Sequence, residues 1–495
     1  MARSVTLAAL ALASAFAHAQ YSGAVAPPDD LKGGWDTITV SSARTWMNYL
    51  AGPETQGRGT GQAGYQKAAD FMAAKFKEFG CLPASKDGTY FQNVPFQRAT
   101  ADKSSFFEVG KVKVSVGQGF GFGNPTGSGE AEGGIVFVSM KGDVELADPS
   151  VLKGKFVVLM SGGQPGRKFR RQMFDQDARL VRVADKVPAS SEGVRRKSAN
   201  EPPQGPGRTL STGVLELSKA KQIAAAAGVN PTMLNVAGAE GIVVQPGSGT
   251  AKMVASVKWE DVGVPNVVAM IEGSDPTLKA EVVGLGAHLD HLGVSGDTVY
   301  PGADDDASGN TSLLLVAQAM AKNPVKPKRT VLFMAFCGEE MGLIGSGYYA
   351  NNPIFPLDKM TCELQMDMVG RNEETKDEKA SDNVDTLHLV GSKRISTELH
   401  NAVLEANKHV NFKFEYDEED VYTRSDHYQF ASKGVPIAFL FSGFHPDYHQ
   451  PTDTLDKINF DKIANAARLF YLVGMDAANR PAMFKREVTE KGSTR

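Results

Sequence analysis

The chain has 495 residues, 42% hydrophobic and 22% charged, with 51 Gly and 25 Pro. That length exceeds the roughly 100–200 residues usual for one domain, and the composition excludes a coiled coil, a collagen-like rod and a wholly disordered chain. The 53 Lys+Arg and 57 Asp+Glu leave a formal charge of −4, so bulk electrostatics announces no nucleic-acid partner. Of the 9 histidines one is His18, and the others all fall between His288 and His449, which assigns any imidazole chemistry to the C-terminal half.

Residues 1–19 read as a cleaved signal peptide: Arg3 gives the positive start, Leu7 to Phe16 the apolar stretch, and Ala17-His18-Ala19 the small-x-small site. Export to a periplasmic or extracellular compartment is the expectation. The apolar run is too short to span ~30 Å of hydrocarbon, and no later segment approaches ~18 uncharged apolar residues, so stable membrane insertion is not expected. Three cysteines, Cys81, Cys337 and Cys362, cannot all pair, and buried thiols are expected.

From Ser41 to Pro83 the pattern is largely helical, with Tyr65, Ala68, Ala69, Met72, Phe76 and Phe79 at three- and four-residue steps and Gly80 closing the run. Gly57-Arg58-Gly59 before it reads as a turn. Short β-like pieces follow, such as Phe106 to Val116. Near residue 130 the texture changes to brief Val/Ile-rich runs at 134–140, 155–160 and 241–244, separated by Gly and Pro. Between them, 164–208 holds eleven Lys/Arg against five Asp/Glu with Pro202-Pro203 and Gly205-Pro206-Gly207, the pattern of a solvated loop. Leu217 to Ala227 looks helical. The division predicted is a leader at 1–19, a first part of the main domain at 20–128, an inserted β-rich module at 129–264, and the rest of the main domain at 265–495.

After Pro265 the rhythm is strand, loop and helix, repeated. Strands are predicted over 281–287, 329–336, 364–369, 387–390 and 437–441. Helices are predicted from a Ser308 cap to Met320, over 342–350, from Ser396 and over 460–478. This alternation predicts an α/β domain with a mostly parallel central sheet and helices on both faces, where ligands gather at the carboxyl ends of strands.

Five stretches place acidic or imidazole groups at such ends or in Gly-rich turns: Gly286-Ala287-His288-Leu289-Asp290, Gly302-Ala303-Asp304-Asp305-Asp306, Gly338-Glu339-Glu340, Met366-Asp367-Met368 and Tyr448-His449-Gln450-Pro451. Singly, each has a plain structural explanation in a turn, a cap or a solvated loop. Together they supply two His, three ligand-type carboxylates and one spare Glu, the mix that two closely spaced divalent ions require with one carboxylate shared. Two Zn²⁺ against three carboxylates and a bridging hydroxide also balance in charge, and carboxylates so dense would repel one another without cations.

The motifs GAHLDH (286–291), PGADDDASG (301–309), FCGEEMGLIGS (336–346), QMDMVG (365–370) and YHQPTDT (448–454) resemble those of the M28 peptidase family, the co-catalytic di-zinc aminopeptidases. The resemblance covers almost the whole chain after residue 19, its specific part lying after residue 285. It implies a phosphorylase/hydrolase-like fold, and residues 129–264 look like the protease-associated (PA) domain inserted in many members. It further implies that His288 and Asp367 complete one zinc site, Glu340 and His449 the other, and that Asp305 bridges both. Glu339 would be the general base and acid, Asp290 would accept the His288 imidazole N–H, and Tyr448 would donate to the developing oxyanion. His291, His400 and His445 are left as non-ligands. Arg424-Ser425-Asp426-His427 resembles a recurring family element, open between substrate contact and a capped helix start with a structural His. The acidic run Glu415 to Asp420 is read as a solvated loop.

The function expected is hydrolysis of N-terminal residues from peptides by an exported metallo-aminopeptidase. A carboxypeptidase or dipeptidase of the same family is the near alternative. Glutaminyl cyclisation belongs to relatives with one zinc, and a non-catalytic binding protein would have lost ligands or base; the full set kept here argues against both. The first-residue preference, the oligomeric state and the role of the insert are not legible.

Overall fold

The computed structural model describes residues 20–122, 128–161, 165–187, 194–197, 212–234, 241–295, 297–416 and 421–487. The predicted leader, the Pro/Gly-rich residues 198–208 and residues 417–420 of the acidic run lie outside them. All three cysteines are buried and unbridged.

The main sheet runs in the order Lys413–Glu415, Thr386–Val390, Ile437–Phe441, Met360–Met366, Val282–His288, Thr330–Phe336, Val257–Ile271, Phe91–Ala101 and Val194–Arg196. Its four central strands, from Ile437–Phe441 to Thr330–Phe336, are parallel. The flanks depart from the predicted parallel rule: Val257–Ile271 joins Thr330–Phe336 antiparallel and Thr386–Val390 joins Ile437–Phe441 antiparallel. The central strands are buried throughout, as strands covered on both faces must be. On one face Val283, Leu285, Ala287, Phe333 and Leu364 meet the helices Val40–Leu50, Ala63–Phe79, Gly309–Lys322 and Phe460–Asn479; on the other, Val282, Leu332, Met334 and Ile437 meet Ile344–Asn351 and His427–Ala431.

These helices begin and end where their sequences say. Thr39 accepts the Ser42 N–H and Asn459 the Lys462 N–H, each an N-cap, and Gly80 closes Ala63–Phe79 at φ 89°, a left-handed turn that suits a residue without Cβ. Ser308 is the exception. Its hydroxyl donates to the Asp304 carbonyl, while Asp306 accepts the Gly309 N–H instead.

A second, eight-stranded sheet is built wholly from strands between Phe106 and Ala255. It therefore starts and ends earlier than the predicted 129–264. The Phe106–Val109 and Val112–Ser115 hairpin belongs to it, whereas Val257–Ile271 is one long strand of the main sheet, paired with Phe91–Ala101 from Val257↔Ala101 to Val267↔Phe91. The neck is closed by Asp102 N–H on the Ser256 carbonyl (2.7 Å) and Ser256 N–H on the Ser105 hydroxyl (2.9 Å). Nor is the basic stretch a loop throughout. Arg167–Asp175 is a helix burying Phe169 and Met173 with its basic residues exposed, and Arg179–Ala184 a strand burying Val181 and Val183, with Arg179 set over the Phe156 ring and Arg182 half-buried.

Candidate metal centre

Three adjacent parallel strands deliver the site. His288 ends Val282–His288, Glu339 and Glu340 follow Thr330–Phe336, and Asp367 follows Met360–Met366. Asp305 comes from the turn at Ala303–Ser308 and His449 from the turn beyond Ile437–Phe441; the Asp305–Asp306 peptide is cis. All eight residues predicted for the site are thus brought to one end of the sheet.

The two oxygens of Asp305 face different partners. Oδ1 lies 3.1 Å from His288 Nε2, which is 3.3 Å from Asp367 Oδ1. Oδ2 lies 3.1 Å from His449 Nε2, which is 3.2 Å from Glu340 Oε2. Two donor groups result, sharing Asp305, and each has its ligand atoms within 4.8 Å of one another. Bonds of 2.0–2.2 Å to a tetrahedral ion put neighbouring donors ~3.3 Å apart, so both groups fit zinc in atom type and spacing. His291, left as a non-ligand from sequence, stands beside the second group, its Nδ1 2.7 Å from Glu340 Oε1.

The three consecutive aspartates have separate tasks. Asp304 Oδ1 accepts the Gly370 N–H (2.7 Å), Asp305 faces both donor groups, and Asp306 accepts the N–H groups of His288 (3.2 Å), Gly309 (2.8 Å) and Met368 (3.1 Å), tying two strand ends together. Asp453, in the same turn as His449, accepts from Asp304 N–H (3.0 Å) and Asp305 N–H (3.2 Å). Asp290 departs from its expected role. The His288 Nδ1–H meets the Asp290 main-chain carbonyl at 3.0 Å, while the carboxylate stands 4.0 Å off. That carboxylate accepts instead from the Thr60 hydroxyl (2.7 Å) and the Glu339 N–H (3.0 Å), so it positions the Glu339 turn.

Arg58 is the residue that sequence reading missed. It is fully buried, and its guanidinium donates to the main-chain carbonyls of Leu50, Leu289, Pro301, Gly302 and Asp305, clasping the His288 and Asp305 loops from behind. Arg58, Leu343, Met368 and His449 all hold positive φ, 52° to 58°, and all lie in or beside these loops. Left-handed backbone at non-glycine residues is costly and persists where surrounding contacts impose it.

Burial, opposed by His288 and reinforced by Asp367, Asp426 and Glu340, holds the Glu339 carboxyl well above the ordinary carboxylate range. A carboxyl so placed among other carboxylates is in the environment a divalent cation relieves. Glu339 lines a small cleft together with His288, Asp305, Asp367, Tyr448 and His449. Met368, Val421, Phe439, Phe441 and Phe444 form its apolar wall, with Arg424 and Ser425 also lining it. Tyr448 stacks on His449 (ring centroids 3.9 Å apart), and burial, reinforced by Asp305, Glu340 and Asp367, pushes its phenol up, keeping it a donor. His427 is structural. It is buried, stacked on Phe439 at 4.5 Å and hydrogen-bonded to the Tyr422 carbonyl, and burial pushes it down to about 3. The motif at 424–427 is thus divided, Arg424 and Ser425 facing the cleft and His427 the core.

Residues 266–473 match the profile of Peptidase family M28. Over that stretch the chain is similar to the peptidases of this family. Among curated relatives, "probable leucine aminopeptidase 2" of Aspergillus oryzae is 34% identical over 26% of this chain and 24% of its own length. Aminopeptidase YwaD of Bacillus subtilis is 28% identical over 43% of this chain and 45% of its own length. The chain thus aligns with less than half the length of either relative. Two solved structures share the fold with this chain. A zinc aminopeptidase from Bacillus subtilis superposes with TM-score 0.56 at 16% identity, covering 90% of this chain and 98% of that one. An aminopeptidase from Aneurinibacillus sp. strain AM-1 gives 0.52 at 20%, covering 93% and 98%. No helix among the described residues is long and apolar enough to cross a membrane.

Proposed function

We propose that this M28 chain is an exported two-zinc aminopeptidase that removes N-terminal residues with apolar side chains from peptides. The observation that carries the reading is Asp305, whose two oxygens face two donor groups while Glu339 lines the same cleft. His288, Asp305 and Asp367 would hold one ion, and Asp305, Glu340 and His449 the other. Bound zinc supplies an acidified water and a polarised carbonyl. Glu339 takes the water proton on its carboxylate and returns it to the leaving amine. Tyr448 donates its hydroxyl toward the developing oxyanion. Asp290 fixes Glu339 through the Glu339 N–H. The carboxylates suit an α-ammonium group, and the wall of Met368, Val421, Phe439, Phe441 and Phe444 suits an apolar first side chain. Export rests on residues 1–19. The phosphorylase/hydrolase-like assignment and the protease-associated identity of the second sheet rest on motif, texture and position.

Arg424 at the cleft supports a second reading, a dipeptidase, since a guanidinium there would grip the carboxylate of a short substrate. Leucyl dipeptide, leucyl pentapeptide and its N-acetyl form separate these. The aminopeptidase reading expects both free peptides to be cleaved and the acetylated one to resist by at least about 100-fold, as an interaction of ~3 kcal/mol with the free amine requires. Equal turnover of blocked and free pentapeptide would overturn it, and cleavage of the dipeptide alone would favour the dipeptidase.

A further inference from the structure

We infer that His291 is a positioning residue that fixes Glu340 as a one-oxygen metal ligand, and is not itself a ligand. The inference rests on the two-zinc reading above. Among the residues assigned to zinc, the four donor pairs lie 3.1, 3.3, 3.1 and 3.2 Å apart, close to the ~3.3 Å edge of a zinc tetrahedron. His291 departs from that spacing in both directions. Its Nδ1 is 2.7 Å from Glu340 Oε1 and 3.6 Å from Asp305 Oδ2. The first distance is that of a charge-assisted hydrogen bond; two atoms bound to the same ion would stand further apart. The oxygens differ as well. Oε1 meets His291, while Oε2 faces His449 and the shared metal position. A carboxylate oxygen only accepts, so Nδ1 carries the proton and cannot offer a lone pair to zinc.

The ring is held for this task. His291 is buried, its own N–H reaches the Arg58 carbonyl, and its edge meets the His449 ring at 5.7 Å. Gly302, at φ 57°, makes the room: a Cβ there would come within 2.5 Å of His291 Cγ and Cδ2. Arg58 therefore clasps the Gly302 and Leu289 carbonyls with its side chain and His291 with its main chain. Occupying Oε1 leaves Glu340 one free oxygen in a fixed direction, the arrangement by which an outer hydrogen bond raises metal affinity.

The test is zinc binding to the full chain, measured as ions per chain and by competition with a chelator, for wild type, H291A and H291N. Asparagine places an N–H near the position of Nδ1, yet its amide is not a customary zinc ligand. Wild type is expected to bind two ions and H291A to hold one of the two about 10–100-fold more weakly. H291N should bind both within about threefold of wild type, the rescue expected of a hydrogen-bond donor. Undiminished binding by H291A would overturn the inference, and so would a loss in H291N as large as in H291A, which would mark His291 as a ligand. Should H291A fail to fold, H291N against wild type still decides, because a ligand role predicts loss of the ion and a donor role its retention. A wild-type chain that takes up no zinc would overturn the two-zinc reading and this inference together, whereas failure of the variants alone overturns only the role of His291.

Discussion

The two sheets bury different chemistry. Between residues 102 and 256 the buried polar side chains, among the described residues, are Ser105 and Ser139, set in a core of Phe107, Phe137, Phe156, Val158 and Ile223. The main sheet and its loops bury Arg58, Asp290, Asp304, Asp305, Asp306, Glu363, Asp367, Asp426 and several histidines. An unpaired charge inside a protein costs several kcal/mol, so a fold optimised for stability alone would keep such groups outside. The region between residues 102 and 256 follows that rule, and the main sheet breaks it where its parallel strands end. The contrast teaches where stability was given up, and for each buried charge it asks whether a partner within the protein or an added cation answers it.

The largest effect expected is on turnover without effect on binding. E339Q should lower kcat by about 10²–10⁴-fold, the usual contribution of a general acid–base, while zinc per chain stays at the wild-type value. Retained activity would remove Glu339 from the chemistry. Next come two substitutions of similar stability cost and different consequence. R58M strips the clasp from both loops and should cost about 3–5 kcal/mol in chemical unfolding, with weakened zinc binding. F156A in the second sheet should also cost about 3–5 kcal/mol, through the cavity it leaves, with kcat of the folded protein within about a factor of two. If F156A altered zinc binding as much as R58M, the division between the two cores would fail.

The smallest effect concerns pH. His427 is held near 3 in the fold against an ordinary value of about 6.5 once unfolded, so between those values the unfolded chain binds the extra proton. Stability contributed by neutral His427 is complete above pH 6.5 and falls as the pH drops. The unfolding free energy of wild type relative to H427Q should fall by about 1.4 kcal/mol per pH unit between pH 5.5 and 4. Parallel pH profiles would show that His427 titrates normally and is not held neutral by the core.

Much of the centre was legible because its residues sit inside short motifs, each a strand end followed by a polar group: His288, Glu339, Glu340 and Asp367. The helices Ala63–Phe79 and Phe460–Asn479 were legible for a related reason, since periodicity and caps are local. What escaped is non-local. Arg58 meets carbonyls as far as 247 positions along the chain, and Thr60 meets Asp290 across 230, so nothing in Gly57-Arg58-Gly59 marks it. Asp290 was placed near the right atom but with the wrong group, because spacing does not tell a side chain from a main-chain carbonyl. One antiparallel flank and the early end of the second sheet share a cause: Val257–Ile271 is one strand whose first part reads like the insert and whose last residues, Val267 to Ile271, pair with Thr330–Phe336.

The central claim is that Asp305 spans two metal positions, and zinc per chain measured on purified wild type, H288A, H449A and D305A tests it most directly. The expected values are two ions for wild type, one each for H288A and H449A, and none held tightly by D305A. A D305A chain that keeps one tightly bound ion, or a wild type that saturates at one, would contradict it.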